Sequence, residues 1–278
     1  MQLGIRLHDV KKAPIEERVQ IAREQGFACA HVALSKLISE YPTDDGALTP
    51  GFACYLKRVF QKNDMDMAVL GCYLNLANPN QESLKKIQNR YLTHLRFASL
   101  CGVGVVGTET GAVNEKYQFE EANHSMEALN VFMNNLRPVV EYAEKMGVIL
   151  AIEPVYKHIV WNPVQARKVL DTINSPNLQI IFDPVNLLDL SNYRERDAIF
   201  EEAIDLLGPD IAMIHIKDFV IKDGKMDSVA AGTGEMNYDR IMKFIKERKP
   251  FVHVTLENTV PENAVQSRKF IQEIWEQV

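Results

Sequence analysis

A basic excess is the first thing this chain lacks. Its 31 Lys and Arg are outnumbered by 37 Asp and Glu, for a net charge of −6. The positive residues are scattered along helix-like segments, without the stripe that a phosphate-backbone partner attracts. A nucleic-acid partner is therefore not expected. Long apolar runs are also missing: none approaches the roughly 20 residues of a membrane span. The start, Met1-Gln2-Leu3-Gly4-Ile5-Arg6, enters a strand-like run at once and shows no signal-peptide core. A cytoplasmic location is expected, and a membrane partner is not. Cysteine is scarce, and Cys29, Cys54, Cys72 and Cys101 include no CxxC pair. Neither a thiolate metal site nor a disulfide framework is indicated, and buried free thiols are the plain reading. No linker or low-complexity stretch divides the 278 residues, so one domain spanning 1–278 is expected. With 46% hydrophobic and 24% charged residues, the chain has the balance of a globular protein with a large core.

What is present is an alternation. Strand-length apolar runs fall at 3–7, 28–34, 67–73, 103–107, 148–152, 178–182, 211–214 and 251–256. Helical patterns separate them, at about 14–25, 51–63, 83–100, 125–146, 163–174, 196–207, 238–248 and 263–276. Pro138 lies inside the fifth of these and predicts a kink or break. A long loop with Gly224, Gly232 and Gly234 follows the seventh strand. Eight strand–helix pairs in a chain of this length favour a (β/α)8 TIM barrel. A doubly wound sheet is the alternative, but it does not naturally bring several strand ends around one centre.

Four runs end in a potential metal ligand. Val148 to Ile152 leads into Glu153, Leu178 to Phe182 into Asp183, Ile211 to Ile214 into His215, and Phe251 to Leu256 into Glu257. Packing alone gives no reason for a polar tip on four successive buried strands. In a parallel barrel the strand ends converge on one face, so Glu153, Asp183, His215 and Glu257 are expected to meet. Three carboxylates and one imidazole suit a single hard or borderline divalent cation. Mn²⁺ fits best, and Mg²⁺, Co²⁺ or Zn²⁺ are acceptable.

Glu153-Pro154, Asp183-Pro184-Val185-Asn186, His215-Ile216-Lys217-Asp218 and Leu256-Glu257-Asn258 resemble the xylose isomerase-like TIM-barrel superfamily, and within it the sugar and sugar-phosphate isomerases and epimerases. The stretch Gly232-Thr233-Gly234-Glu235 is similar to that family's short glycine motif. The likeness is sharpest from 149 to 258. Asn186 replaces the His that many members carry three positions after the strand-six Asp. Asp-x-x-Asn together with His-x-Lys-Asp resembles the pentulose-phosphate 3-epimerase branch more than the free-sugar 3-epimerases. The DNA repair endonucleases on this barrel use three zinc ions and additional histidines. Here Tyr73, Asn75 and Glu109 stand at the ends of strands three and four, so a trinuclear site is not expected.

The resemblance implies chemistry on a ketose, a free sugar or sugar phosphate. A metal-stabilised enediolate would form when one of Glu153 and Glu257 removes the proton beside the carbonyl, and the other would return a proton. Asp183 and His215 would mainly hold the ion. Asn186, Lys217, His158, Glu109 and His8 are candidate substrate contacts. Lys217 has two readings, a phosphate ligand or a partner of Asp218; His158 and Lys157 could equally be solvated. His253, inside the eighth strand, reads as a packed barrel residue, and Trp161 as packed beneath a loop or at a subunit contact. A dehydratase acting on a sugar acid or inosose would share this chemistry. A sugar-binding barrel without turnover is the reading of a different class, and the intact set of four ligands speaks against it. A homo-oligomer is compatible with this reading.

Overall fold

A computed structural model describes all 278 residues. The barrel strands are β1 (Gln2–Arg6), β2 (Cys29–Val32), β3 (Asp66–Gly71), β4 (Val105–Glu109), β5 (Ile149–Glu153), β6 (Leu178–Phe182), β7 (Ile211–Ile216) and β10 (His253–Leu256). They close into a ring in the order β1-β10-β7-β6-β5-β4-β3-β2, and every pairing is parallel. The helices are α1 (Ile15–Glu24), α2 (Leu34–Leu37), α3 (Pro50–Lys62), α4 (Gln81–Cys101), α5 (Met126–Met146), α6 (Pro163–Ile173), α7 (Arg196–Leu207), α8 (Asp239–Arg248) and α9 (Ala264–Gln277). This is the (β/α)8 barrel expected from the alternation.

Local chemistry sets the ends of the elements. Thr49, Asn80, Ser125 and Asn162 each accept a backbone N–H of the first helical turn, at α3, α4, α5 and α6. Gly102 and Gly147 stop α4 and α5 at φ of 77° and 64°, a left-handed turn that side chains resist. Most of the core lies between strands and helices. A second, smaller cluster of Val69, Ala151, Ile181 and Met213 fills the barrel interior. Side chains on a strand alternate in steps of two. Two residues on from that plug, β3 reaches Gly71, β5 Glu153, β6 Asp183 and β7 His215. The interior is thus an apolar floor with the polar tips above it.

Gly107 of β4 also faces this interior. A Cβ there would lie 2.6 Å from Ile181 Cδ1 and 2.8 Å from Val69 Cγ2. Gly107→Ala is expected to destabilise the fold by about 1–3 kcal/mol through overpacking. Urea unfolding measures it, and an unchanged midpoint would contradict this packing.

Several local expectations are revised. Helix α5 runs through Pro138 without a break. Its face of Leu129, Phe132, Leu136 and Val139 is buried along its length, and that packing overrides the missing hydrogen bond. Strand β4 lies two residues later than the apolar run suggested and ends on Glu109. The second strand stops at Val32, and Leu34 to Leu37 turn helical instead. The glycine-rich loop after β7 holds an antiparallel hairpin of β8 (Asp218–Lys222) and β9 (Lys225–Val229). Its turn is Asp223-Gly224, with φ of 49° and 70°. An Asp-Gly pair between two short strands is a strong hairpin signal that the loop reading overlooked. Of the cysteines, Cys29, Cys72 and Cys101 are buried and Cys54 is exposed, all as free thiols.

Candidate active site and metal centre

The four predicted tips do converge. Glu153, Asp183, His215 and Glu257 are all buried at the C-terminal mouth of the barrel. His215 Nδ1 is 3.3 Å from Glu153 Oε1 and 3.4 Å from Glu257 Oε1. Strand pairing places them. His215 is in register with Thr255, and the Glu257 amide donates to the Ile216 carbonyl at 2.9 Å. The donors form two overlapping sets that share His215. One is Glu153, Asp183 and His215; the other is His31, His215 and Glu257, and in each set the ligand atoms lie within 4.8 Å of one another.

Asp183 is held by its own turn. Pro184 bends the chain, and Asp183 Oδ1 accepts the amides of Val185 and Asn186 at 3.0 and 3.2 Å. Its Oδ2 is left to Lys217 Nζ at 2.8 Å. Lys217 Nζ also lies 3.4 Å from Glu257 Oε2, as does Arg6 Nη1. The expected partner of Lys217, Asp218, is engaged elsewhere. Asp218 accepts from the amides of Phe219, Gly232, Gly234 and Met236 and so pins the glycine stretch beneath the hairpin. Parity explains the difference: Lys217 follows His215 by two and shares its inward face, whereas Asp218 points the other way.

Electrostatics in this cluster are strongly coupled. Burial opposes charge on His215, but Glu257 and Glu153 outweigh it and push its pKa up to about 9. Burial raises Asp183 to about 6 against the pull of Lys217. Glu257 is buried too, yet His215, Lys217 and Arg6 hold it well below the usual carboxylate range. Lys217 is held above its ordinary value, because Asp183 and Glu257 overcome its own desolvation. A buried pair stripped of one partner typically loses about 3–5 kcal/mol. Lys217→Met is expected to lower the stability of metal-free protein by that amount, read by urea unfolding, since it leaves Asp183 buried beside Glu257 without its ion-pair partner. An equally stable variant would show that the ammonium is not what balances them.

The remaining predicted contacts are placed as follows. Asn186 Nδ2 donates to Glu153 Oε1 at 2.6 Å, so this side chain orients the glutamate. Glu109 Oε2 accepts from the Tyr117 hydroxyl at 3.1 Å, with His158 Nδ1 at 3.8 Å. Burial raises the Glu109 pKa and lowers that of His158 to about 4. His8 lies in a turn after β1, its ring edge-on to His31 at 6.2 Å, and burial lowers its pKa to about 4. His253 is not in the packed interior. It begins β10 at the opposite end of the barrel, partly exposed, with Nε2 3.2 Å from Asp66 Oδ2. Trp161 stacks on His124, ring centroids 4.6 Å apart.

Sequence reasoning missed His31 and Arg6. His31 is buried, and burial with the nearby His215 lowers its pKa far below the ordinary value. Arg6 ends β1. Both were visible as polar residues at the inward-facing end of an apolar strand, the same signal that marked the other four.

The residues fit a divalent ion. Glu153, Asp183 and Glu257 bring three carboxylates together in a buried space, against Lys217 and Arg6. Donor–donor spacings of 3.3–3.4 Å match two ligands each roughly 2.0–2.2 Å from one ion, which lie about 3–4 Å apart. His215 Nε2 and both ring nitrogens of His31 are buried without hydrogen-bond partners.

Fold and site together define a (β/α)8 barrel with a carboxylate–histidine centre at its C-terminal rim. The chain belongs to the xylose isomerase-like TIM barrel family, whose model matches residues 19–274. It is 28% identical over 165 residues to the probable L-ribulose-5-phosphate 3-epimerase UlaE of Mycoplasma pneumoniae. That match takes in 55% of this chain and 51% of the relative, so about half the length of that protein is matched. Among solved structures, the IOLI protein with a zinc atom superposes with a TM-score of 0.78 at 19% identity, over 100% of this chain and 99% of that one. A D-tagatose 3-epimerase-like protein gives 0.77 at 20% identity, over 100% and 98%. At these identities the likeness is one of fold. No helix is long and apolar enough to cross a membrane.

Proposed function

We propose that the protein is a divalent-metal-dependent epimerase or isomerase of a ketose or ketose phosphate, built on residues 1–278 as one barrel unit. The observation that carries this reading is the approach of Glu153 and Glu257 to the same His215 nitrogen, from strands on either side of β6 and β7. The name of the Mycoplasma relative supports a 3-epimerase on a pentulose phosphate. Glu153, Asp183, His215 and Glu257 would hold the ion, with Mn²⁺ the best match to three carboxylates and an imidazole. When bound, the ion supplies Lewis acidity to the carbonyl and neighbouring hydroxyl of the ketose.

The chain itself moves the proton. One of Glu153 and Glu257 takes the hydrogen from the carbon beside the carbonyl, and the other delivers one back. Asn186 fixes Glu153 Oε1 and thereby its angle of approach. Lys217 and Arg6 steady Glu257 Oε2. Glu109, His158 and His8 offer polar contacts to the sugar hydroxyls. A groove of about 380 Å³ opens beside Asn186, between the loops after β5 and β6 and the β8–β9 hairpin. It is lined by Tyr156, Lys157, Asp189 and Lys225 and would take the far end of the substrate, where either lysine can meet a phosphate.

The test is deuterium incorporation from heavy water into a panel of ketoses and ketose phosphates with Mn²⁺ supplied. Label at one carbon beside the carbonyl names both substrate and position. If Mn²⁺ is bound and no member of the panel takes up deuterium, proton transfer at that carbon is the wrong chemistry.

A further inference from the structure

The oxygen that a metal ion would need from Asp183 is the one that Lys217 holds. Asp183 Oδ1 already accepts the amides of Val185 and Asn186 at 3.0 and 3.2 Å. Those two donors fill both lone pairs of that oxygen, so only Oδ2 can turn to an ion. Oδ2 is buried and accepts no hydrogen bond. The Lys217 ammonium meets it at 2.8 Å as a bare charge contact, and the lysine is 5% exposed. The same nitrogen lies 3.4 Å from Glu257 Oε2, so it bridges the two carboxylates. The grouping of the donors reflects this bridge. Glu153, Asp183 and His215 form one set, while Glu257 joins His215 in the other, and neither set contains both Asp183 and Glu257. One ion holds its ligand atoms about 3–4 Å apart, and here an ammonium stands between two of them. Lys217 is not locked in this seat. Nζ has no partner besides the two carboxylates, and its flexible stem lets the head group shift. Glu257 gives it somewhere to stay, because it meets Lys217 with Oε2 and His215 with Oε1.

We propose that Lys217 is a displaceable stand-in for the divalent ion: the ion takes Asp183 Oδ2, and the ammonium gives up Asp183 while keeping Glu257 Oε2. The inference rests on the metal reading proposed above and adds an exchange step to loading. A monovalent cation brings no more charge than the ammonium it would replace, so the exchange favours a dication. With the bridge removed, Asp183 and Glu257 can close on one ion. The two overlapping donor sets then become a single centre of Glu153, Asp183, His215 and Glu257.

The experiment titrates Mn²⁺ alone, without substrate, into the full-length protein and into Lys217→Met, Arg6→Met and Asp183→Ala. Lys217→Met is expected to bind Mn²⁺ about 100-fold more tightly than wild type, because the cost of breaking a buried pair falls on the metal-free protein only. Arg6→Met shows what the loss of one positive charge does by itself. Its guanidinium lies 3.4 Å from Glu257 Oε2, as the ammonium does, but forms no ion pair with Asp183. It should gain less. A crystal structure of wild type loaded with Mn²⁺ gives an answer that needs no variant to fold. In it, Lys217 Nζ is expected more than about 3.5 Å from Asp183 Oδ2, outside hydrogen-bond reach. A lysine still in contact with Asp183 beside a bound ion would overturn the exchange while leaving the four-ligand site standing. So would a Lys217→Met variant that gains no more affinity than Arg6→Met. No binding by wild type, or binding untouched by Asp183→Ala, would overturn the metal reading itself.

Discussion

Glu153→Gln and Glu257→Gln are each expected to abolish net turnover of the ketose, with different residual chemistry. Glutamine keeps the length of the side chain and an oxygen that can still face His215, so the barrel should survive. It cannot accept a proton, so the step it served stops. The variant that retains the first base should still exchange the substrate's hydrogen with solvent without completing epimerisation. The variant that lacks it should exchange nothing from that epimer. Starting from the product epimer should swap the two phenotypes, because each glutamate would then serve the other direction. General base catalysis contributes about 10²–10⁴-fold, so the loss is readily measured. Bound metal must be quantified in both variants, since a lost ion mimics a lost base. Near-normal turnover in either variant, with the ion in place, would exclude the two-glutamate scheme.

Removal of the divalent ion by a chelator is expected to abolish turnover and lower the melting temperature, both restored by Mn²⁺. The physical reason lies in the buried charges. Three carboxylates within reach of His215 are offset only by Lys217, Arg6 and the imidazole. An ion that binds the folded chain alone stabilises it by about 2.7 kcal/mol at a hundredfold excess over its dissociation constant. For a domain of this size that is a rise of roughly 5 °C. Calorimetry with and without Mn²⁺ measures the shift. Asp183→Ala should flatten it, because Asp183 Oδ1 is tied to the backbone of its own turn and no neighbour can take its place. A melting temperature indifferent to chelation in the wild type would mean that the carboxylates bind no ion.

Much of this site is legible in the sequence. Apolar runs ending in Glu153, Asp183, His215 and Glu257 could be read because strand direction and side-chain parity are local properties of the chain. A parallel barrel turns such tips into neighbours without further information. Asn186, three residues after Asp183, was marked as a contact, although its partner turned out to be Glu153. The hairpin at Asp223-Gly224 was written in the sequence and misread as loop. His253 differs from expectation because the strand begins there, two residues after the start of the apolar run, which leaves its ring at the partly exposed end beside Asp66.

The eightfold alternation, the class of barrel and four of the groups at its mouth follow from patterns a few residues long, and so are legible in the chain itself. Whom each group meets depends on how the strands are brought together. Lys217 meets Asp183 across the barrel mouth, and Asn186 turns to Glu153. Arg6 and His31 reach Glu257 only because β1 closes the ring against β10. Those contacts join residues more than two hundred positions apart. They are set by the stagger of the closed barrel, which no local pattern encodes.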